Sequence, residues 1–143
     1  MSEAEYEDLQ DTYPGAGTFR FGDSKALSDE LIALVRAGKK VATCGALRDF
    51  EDEPEAMPVV GRCDIATEWD GTPAVVIRTL KVDTLRFCDV TEEMALAEGE
   101  NETLEGWQDG HKRYFERNGG FDPEMMLVFE HFEVVEDLNG RAI

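Results

Sequence analysis

The stretch that decides the fold spans residues 63–83 and reads CDIATEWDGTPAVVIRTLKVD. Its first half alternates, so that Cys63 and Ile65 fall on one side of an extended chain and Asp64 falls on the other. Asp70-Gly71 is a strong signal for the tight turn of a β-hairpin. Residues 63–83 therefore predict two antiparallel strands, with the second running from about Pro73 to Asp83.

The returning strand of this hairpin carries one residue that breaks its pattern. Five alternate residues fall on one face of it: Ala74, Val76, Arg78, Leu80 and Val82. Because the other four are apolar, we expect Arg78 to face inward. There it can either contact a ligand or pair with a buried carboxylate.

Three helices are predicted around the hairpin. The first follows Asp23-Ser24, either of which can cap it, and ends at Gly38, which can adopt the left-handed C-terminal conformation. The second begins after Asp89, with Glu92 placed for a capping box, and the third begins at Thr103 with apolar residues at helical spacing. His111 lies on the apolar face of that third helix.

Two further strands and one loop complete the prediction. Val41 to Cys44 forms a short strand, and residues 126–135 form a strand that is apolar on both faces. Residues 49–55 carry so many charges that we expect a surface loop. The order of elements, with no βαβ rhythm, predicts an α+β fold with a curved, mostly antiparallel sheet.

The composition favours one soluble domain. The chain has 143 residues and no apolar run near the roughly 20 residues that span a bilayer. The N-terminus lacks the features of a signal peptide, so we expect a cytoplasmic protein without membrane contact. We divide it into an acidic N-terminal segment with weak helical character (1–18), a folded domain (19–136) and a C-terminal tail (137–143).

The net charge of -18, from 14 basic and 32 acidic residues, would repel a long phosphate backbone. Long duplex nucleic acid is therefore an unfavourable partner. The charge is uneven, however, since residues 36–86 hold eight basic and nine acidic residues. A local pocket that attracts anions is compatible with this distribution.

Cysteines and histidines do not indicate a metal site or a cofactor. The three cysteines form no C-x-x-C pair, and Cys44 is better explained as a small buried residue than as a nucleophile. His111 and His131 have no ligand spacing, and His111 is better explained as a hydrogen-bonded core or boundary residue. We expect neither metal nor cofactor.

Lys39 and Lys40 stand between the end of the first helix and the strand that carries Thr43. Lysines at a helix C-terminus compensate its partial negative charge, and that role alone explains them adequately. A functional role requires further support, which comes from a family resemblance.

The segment Gly38-Lys39-Lys40-Val41-Ala42-Thr43 matches the G-x-K-x-x-T motif of the ASCH family. Three other segments occur in matching order: Phe21-Gly22-Asp23-Ser24, Ile77-Arg78-Thr79 and Ala97-Glu98-Gly99-Glu100. The chain resembles that family from about Phe19 to Val135. The resemblance implies a PUA-like β-barrel flanked by three to four helices, and an association with RNA or with nucleosides derived from it.

Some members of the ASCH family hydrolyse the amide of N4-acetylcytidine with a lysine, a threonine and a glutamate. Motif alignment assigns these roles here to Lys40, Thr43 and Glu100. The lysine would serve as a base if its pKa were lowered, or otherwise as a cation that stabilises the oxyanion. The glutamate would carry a proton to the leaving amine, and no metal is needed.

Substrate contacts are assigned to four further residues: Phe21, Asp23, Lys39 and Arg78. Val41 stands where family members commonly have threonine or another small polar residue, which would alter the pocket. In a regular strand Lys40 and Thr43 point to opposite sides, so they meet only if residues 38–40 form a turn. Otherwise Lys39 is the partner of Thr43.

Two alternatives to the amidohydrolase stay open. One is a noncatalytic module that binds a nucleoside or a short RNA through the same lysines and Arg78. The other is a ribonuclease, which needs a phosphate-binding path that the net charge disfavours. The fold does not choose among these functions, and the oligomeric state is not predicted.

Overall fold

The computed structural model describes residues 12–138. The helical character predicted for the N-terminal segment falls mainly on residues 1–11, outside this part, as does most of the tail 137–143. Within residues 12–138, no helix is long and apolar enough to cross a membrane. Five strands and four α-helices are formed in this part of the chain.

The strands are β1 (Thr18–Arg20), β2 (Ala42–Ala46), β3 (Cys63–Thr67), β4 (Pro73–Arg86) and β5 (Met126–Asp137). The α-helices are α1 (Lys25–Arg36), α2 (Leu47–Asp52), α3 (Glu92–Ala97) and α4 (Leu104–Arg117). Two short 3₁₀ helices lie at Pro54–Ala56 and Phe87–Asp89. The predicted α+β class is confirmed.

All five strands belong to one mixed sheet of order β1-β3-β4-β5-β2. The β1–β3 pair is parallel, and the other three pairs are antiparallel. In the described residues, no hydrogen-bonded pairing joins the edge strands β1 and β2, so the predicted closed barrel is not confirmed. The mostly antiparallel character of the sheet is confirmed.

The hairpin forms as residues 63–83 predict, with β3 and β4 paired in register from Cys63↔Arg78 to Ala66↔Val75. Glu68 N–H donates to the carbonyl of Thr72 across the turn. The register shifts at Thr67, which lies opposite Pro73. Proline has no N–H to donate to the ladder, and it is tolerated here because it is the first residue of β4.

The predicted inward orientation of Arg78 is wrong. Its side chain is 45% exposed and pairs with Glu133, which is exposed as well. Val76 and Arg78 do share a face, but it is the outer face of the sheet. The pairing of β4 shifts at Leu80, so Val82 lies opposite Glu130, which lines the cavity, and the predicted five-residue face is not continuous. Residues 16 and 138 cover Val76, whereas farther along the strand this face meets solvent at Arg78 and Leu80. The inner face of β4 carries Ile77 and Thr79.

The prediction of a surface loop at residues 49–55 is also wrong, because α2 and a 3₁₀ turn occupy this segment. None of their residues is buried, so the helix tolerates its charges by remaining at the surface. Asp49 in the first turn also suits the positive end of the helix dipole. Charge density alone did not distinguish an exposed helix from a loop.

The three predicted helices begin at capping residues, but α3 is capped by Thr91 and not by Asp89, so Glu92 is its first residue and forms no capping box. Ser24 Oγ accepts from the N–H of Leu27, Thr91 Oγ1 from that of Met94, and Thr103 Oγ1 from that of Gly106. Helix α1 packs its apolar side on one face of the sheet, against residues such as Ile77 and Phe132. Helices α3 and α4 pack on the other face, against β2 and β5. Each face of the sheet is therefore covered by helices over part of its area.

Gly99, just beyond α3, lies against the backbone that follows α1. Its φ of 74° is in the left-handed region. A Cβ at this position would lie 2.8 Å from the amide nitrogen of Lys40 and closer still to the carbonyl of Lys39. Only glycine lets the two chain segments approach this closely.

We expect Gly99→Ala to destabilise the protein by several kcal/mol, since both backbone segments must move. Gly38→Ala is the matched control, because Gly38 has a φ of 75° but open space where a Cβ would lie. The free energy of unfolding of Gly38→Ala should fall by only about 1–2 kcal/mol, the cost of placing a residue with a Cβ in the left-handed conformation. Urea unfolding of both variants measures the difference, and equal losses would show that the close approach does not matter.

Candidate functional site

A turn after α1 delivers Lys40 into the interior. The amides of Lys39 and Lys40 both donate to the carbonyl of Leu34, at 3.0 and 3.1 Å, and Gly38 takes a φ of 75°. Strand β2 begins only at Ala42. The predicted turn at residues 38–40 is therefore present, and it leaves Lys39 exposed while Lys40 is 1% exposed.

The ammonium of Lys40 is held by two carboxylates. Its Nζ lies 3.1 Å from Oε1 of Glu98 and 2.9 Å from Oε2 of Glu100, and 3.5 Å from the carbonyl oxygen of Glu98. Burial by itself lowers the pKa of Lys40, but the charges of Glu98 and Glu100 outweigh it and raise the pKa above its ordinary value. Lys40 is consequently a permanent cation at neutral pH.

Glu98 is the most enclosed carboxylate of this cluster, with a side chain 2% exposed. Its Oε2 accepts from Nε1 of Trp107 at 2.8 Å and lies 3.5 Å from Nε2 of His111. Burial favours the neutral acid, yet Lys40, His111 and Trp107 together hold the pKa of Glu98 well below its usual value. Glu98 is therefore a fixed anion that positions the ammonium of Lys40.

Glu100 has a different environment, although it contacts the same ammonium. Its side chain is 22% exposed. Burial and the neighbouring charge of Glu98 raise the pKa of Glu100 above its ordinary value, in spite of Lys40. Of the two carboxylates, Glu100 is the one suited to gaining and losing a proton.

His111 closes the cluster from α4. Its ring stacks on Trp107 with centroids 4.2 Å apart, and its Nδ1 lies 2.9 Å from the carbonyl oxygen of Trp107. That carbonyl can only accept, so Nδ1 carries hydrogen. Burial lowers the pKa of His111, but Glu98 raises it above the ordinary value. His111 is thus the hydrogen-bonded boundary residue that the helical pattern predicted.

Cys44, Glu98 and His111 bring donor atoms within 4.8 Å of one another. Their chemistry does not favour a cation at this point. Burial raises the pKa of the Cys44 thiol well above its usual value, and the thiolate form is what binds metals. The ammonium of Lys40 already neutralises Glu98, so an added metal ion would meet a like charge.

A cavity of about 590 Å³ opens beside this cluster. Each of the five strands contributes to its wall, including both edge strands, β1 through Phe19 and β2 through Thr43. Helix α4 contributes Tyr114. The sheet is therefore curved enough to enclose a cavity, although β1 and β2 do not pair.

Four of the seven residues singled out in the sequence line this cavity: Phe21, Lys40, Thr43 and Glu100. The phenyl ring of Phe21 lies 5.9 Å from Nζ of Lys40. Thr43 points to the opposite side of β2 from Cys44, because side chains alternate along a strand. Within residues 12–138, the Thr43 hydroxyl forms no hydrogen bond.

The other three, Asp23, Lys39 and Arg78, are not among the described residues that line the cavity. Asp23 accepts from Nε of Arg117 at 3.0 Å and from Nδ2 of Asn118 at 2.9 Å. These two hydrogen bonds lower the pKa of Asp23 and join the start of α1 to the end of α4. Asp23 therefore lies outside the cavity wall but holds Arg117, which is part of that wall.

Sequence reasoning missed Glu98 and Glu130 as members of the site. Glu98 stands two residues before Glu100 in the matched segment, and nothing in the local sequence shows that Lys40 contacts both carboxylates. Glu130 gave a clearer signal, since it is a carboxylate that directly follows the apolar run Met126-Leu127-Val128-Phe129. The structure places Glu130 in the cavity wall.

Comparison with known proteins places these features in a family. A family model described as the ASCH domain matches residues 17–136. A solved ASCH domain from Lactobacillus crispatus JV V101 is 29% identical, with 94% of this chain and 86% of that chain covered and a TM-score of 0.78. A protein from Enterococcus faecalis V583, described as DUF984, is 32% identical, with 97% and 90% covered and a TM-score of 0.82.

A solved hypothetical protein matches at a TM-score of 0.56, covering 84% of this chain and 97% of that one. At 12% identity it supports the fold alone. Comparison with curated proteins gives no match.

We expect Glu98→Gln to lower the free energy of unfolding by about 3–5 kcal/mol, because it leaves the buried ammonium of Lys40 without its main counter-charge. The lowered pKa of Glu98 stabilises the fold above about pH 4.5, the ordinary glutamate value, and this contribution is lost as the pH falls below it. Urea unfolding at several pH values measures both effects. The same change at exposed Glu93 on α3 is the control, and equal stabilities of the two variants would contradict this account.

Proposed function

The chain belongs to the ASCH domain family, which is broadly associated with RNA, and from this premise we propose that it hydrolyses the amide of an acylated nucleoside resembling N4-acetylcytidine. One observation carries the proposal. The buried ammonium of Lys40, fixed by Glu98 and Glu100, lines the same cavity as the hydroxyl of Thr43. A cation, a hydroxyl and a carboxylate with a raised pKa are the groups that amide hydrolysis needs.

In this proposal Thr43 is the nucleophile, and its Oγ1 attacks the carbonyl carbon of the acyl group. Lys40 acts by charge, stabilising the negative oxygen that develops in the transition state. Lys40 does not take the Thr43 proton, because its raised pKa keeps it an ammonium. Of the two roles that the sequence left open for the lysine, the pKa supports the cation.

Glu100 delivers the proton that the leaving amine requires. Its raised pKa lets it hold a proton at a higher pH than an ordinary glutamate. Its partial exposure, 22% of the side chain, gives the group access to the cavity. After the amine departs, the Glu100 carboxylate can take a proton from the water that releases the acyl group.

The cavity supports a ligand of nucleoside size. Its volume of about 590 Å³ lies within the range of roughly 300–1,000 Å³ for small-molecule sites. Phe21 offers an aromatic ring beside Lys40, suited to packing against a base. The proposal assigns no direct substrate contact to Asp23, Lys39 or Arg78, which lie outside the wall.

A noncatalytic module that binds a nucleoside or short RNA remains the second candidate, because one observation favours it. Five cationic side chains line the cavity of this acidic protein: Arg20, Lys40, Arg62, Arg113 and Arg117. The guanidinium of Arg20 lies over the ring of Trp69, 4.9 Å from its centroid. Such a surface can attract a phosphate and stack a base. A ribonuclease would use the same cations, but no described group is distinguished for phosphodiester cleavage.

The test is to incubate the purified protein with N4-acetylcytidine and to measure the release of cytidine and acetate by chromatography. We expect turnover by the wild type and none detectable for Thr43→Val, which keeps the shape of the side chain. Glu100→Gln is expected to lower kcat by about 10²–10⁴-fold, the usual contribution of a proton-transferring group. Lys40→Ala is expected to be inactive, whereas Lys39→Ala, its exposed neighbour, retains activity.

Circular dichroism and urea unfolding show whether each variant is folded, which is needed above all for buried Lys40. The enzymatic proposal would be contradicted if no acylated nucleoside in a panel were turned over. Saturable binding of short RNA oligomers in the same experiment would support the noncatalytic binding module instead. Equal turnover by Thr43→Val and wild type would exclude Thr43 as the nucleophile.

A further inference from the structure

We propose that Glu130 is the general base that takes the proton of Thr43. This inference rests on the proposed function for the identity of the nucleophile, and it supplies the base that Lys40 cannot be. Three features support it: β2 pairs with β5, the Glu130 carboxylate is hydrogen-bonded through one oxygen, and Glu100 contacts an ammonium.

Thr43 and Glu130 are cross-strand neighbours. They are directly opposite each other in the antiparallel β2–β5 pair. Side chains of opposed residues project to the same face, with Cβ atoms about 4.5–5.5 Å apart. Both residues line the cavity. The sheet therefore presents a hydroxyl and a carboxylate side by side to any ligand held there.

One oxygen of Glu130 is fixed and the other is available. Thr79 Oγ1 donates to Oε2 of Glu130 at 2.6 Å, and Thr79 is itself 1% exposed. Within residues 12–138 no hydrogen bond is formed to Oε1. A carboxylate oriented by one hydrogen bond, with a free oxygen beside a hydroxyl, has the arrangement of a general base.

The charged groups around Glu130 differ from those around Glu100. Burial raises the pKa of Glu130, the Thr79 hydrogen bond lowers it, Asp64 on β3 raises it and Arg62 lowers it, with a net rise. The guanidinium of Arg62 is directed to Asp64 and to the carbonyl of Met57. Within the described residues Glu130 has no salt bridge, whereas Glu100 lies 2.9 Å from an ammonium.

The two carboxylates can then divide the proton transfers. Glu130 takes the proton of Thr43 as Oγ1 bonds to the acyl carbon and the carbonyl electron pair moves to oxygen. Glu100 gives its proton to the amine nitrogen as the C–N bond breaks. Water next attacks the acyl carbon and loses a proton to Glu100. The C–Oγ1 bond breaks, and Glu130 returns its proton to Thr43.

The test uses a chemical probe, so that it does not depend on the natural substrate. Wild type, Glu130→Gln and Glu133→Gln are treated with a small β-lactone across a range of pH. Mass spectrometry of the peptide that contains Thr43 measures the rate of acylation. Glu133→Gln is the matched control, because it makes the same change on the same strand at an exposed residue outside the cavity wall.

We expect Glu130→Gln to slow acylation of Thr43 by about 10²-fold or more and to abolish its dependence on an ionising carboxylate. Glu133→Gln should react like the wild type. Thr79→Val provides a second variant that keeps Glu130. Because the Thr79 hydrogen bond lowers the pKa of Glu130, its loss should move the rising limb of the pH profile to higher pH.

Two results would overturn the inference: acylation of Thr43 in Glu130→Gln at the wild-type rate, or absence of Thr43 acylation in the folded wild type. Failure of the proposed function gives a different pattern. If Thr43 is acylated with dependence on Glu130 but no acylated nucleoside releases cytidine, the Thr43–Glu130 pair stands and the substrate assignment falls.

Discussion

The contact on which the site depends is the buried ion pair between Lys40 and Glu98, extended by Glu100. Taking two charges out of water is expensive, and apolar residues of similar volume are often as stabilising. The protein meets this cost by giving Glu98 the additional donor Trp107 and by placing a glycine where the backbones of residues 39 and 99 touch. Several independent features thus serve to hold one ammonium at the edge of a cavity.

Among the described residues, the two edge strands of the sheet around this contact do not pair with each other, but the sheet curves around one cavity. Strands β1 and β2 are at opposite edges, yet residues of both face the same cavity. Part of the inner face is polar, since it carries Thr43, Asp64 and Glu130, whereas Ile77 and Phe132 on the same face pack against α1. The polar part provides a surface for a ligand beside an apolar core.

Local pattern was sufficient for the three predicted helices, for the caps Ser24 and Thr103 and for the hairpin, because these depend on residues close in sequence. It missed α2 and the cap Thr91. The turn at residues 38–40 was also predictable, from the parity of Lys40 and Thr43. Parity grouped Arg78 with Val76 correctly, but it could not reveal the register shift at Leu80 or say which face of the sheet would be covered, since both depend on distant segments. The same limitation hid Glu98 and Glu130. Their importance comes from Lys40 and Thr43, which lie 58 and 87 residues away, respectively.

These separations also govern when the cavity can exist during synthesis of the chain. Strand β2 remains an unpaired edge until β5, the last strand, has been made, and β1 must wait for β3. Pairings of high sequence separation close large loops and are intrinsically slow to form. All residues up to at least Glu130 must therefore leave the ribosome before Thr43 can meet Glu130. A protein shortened before residue 126 would lack β5, the strand that joins β4 to β2, and would have no complete pocket.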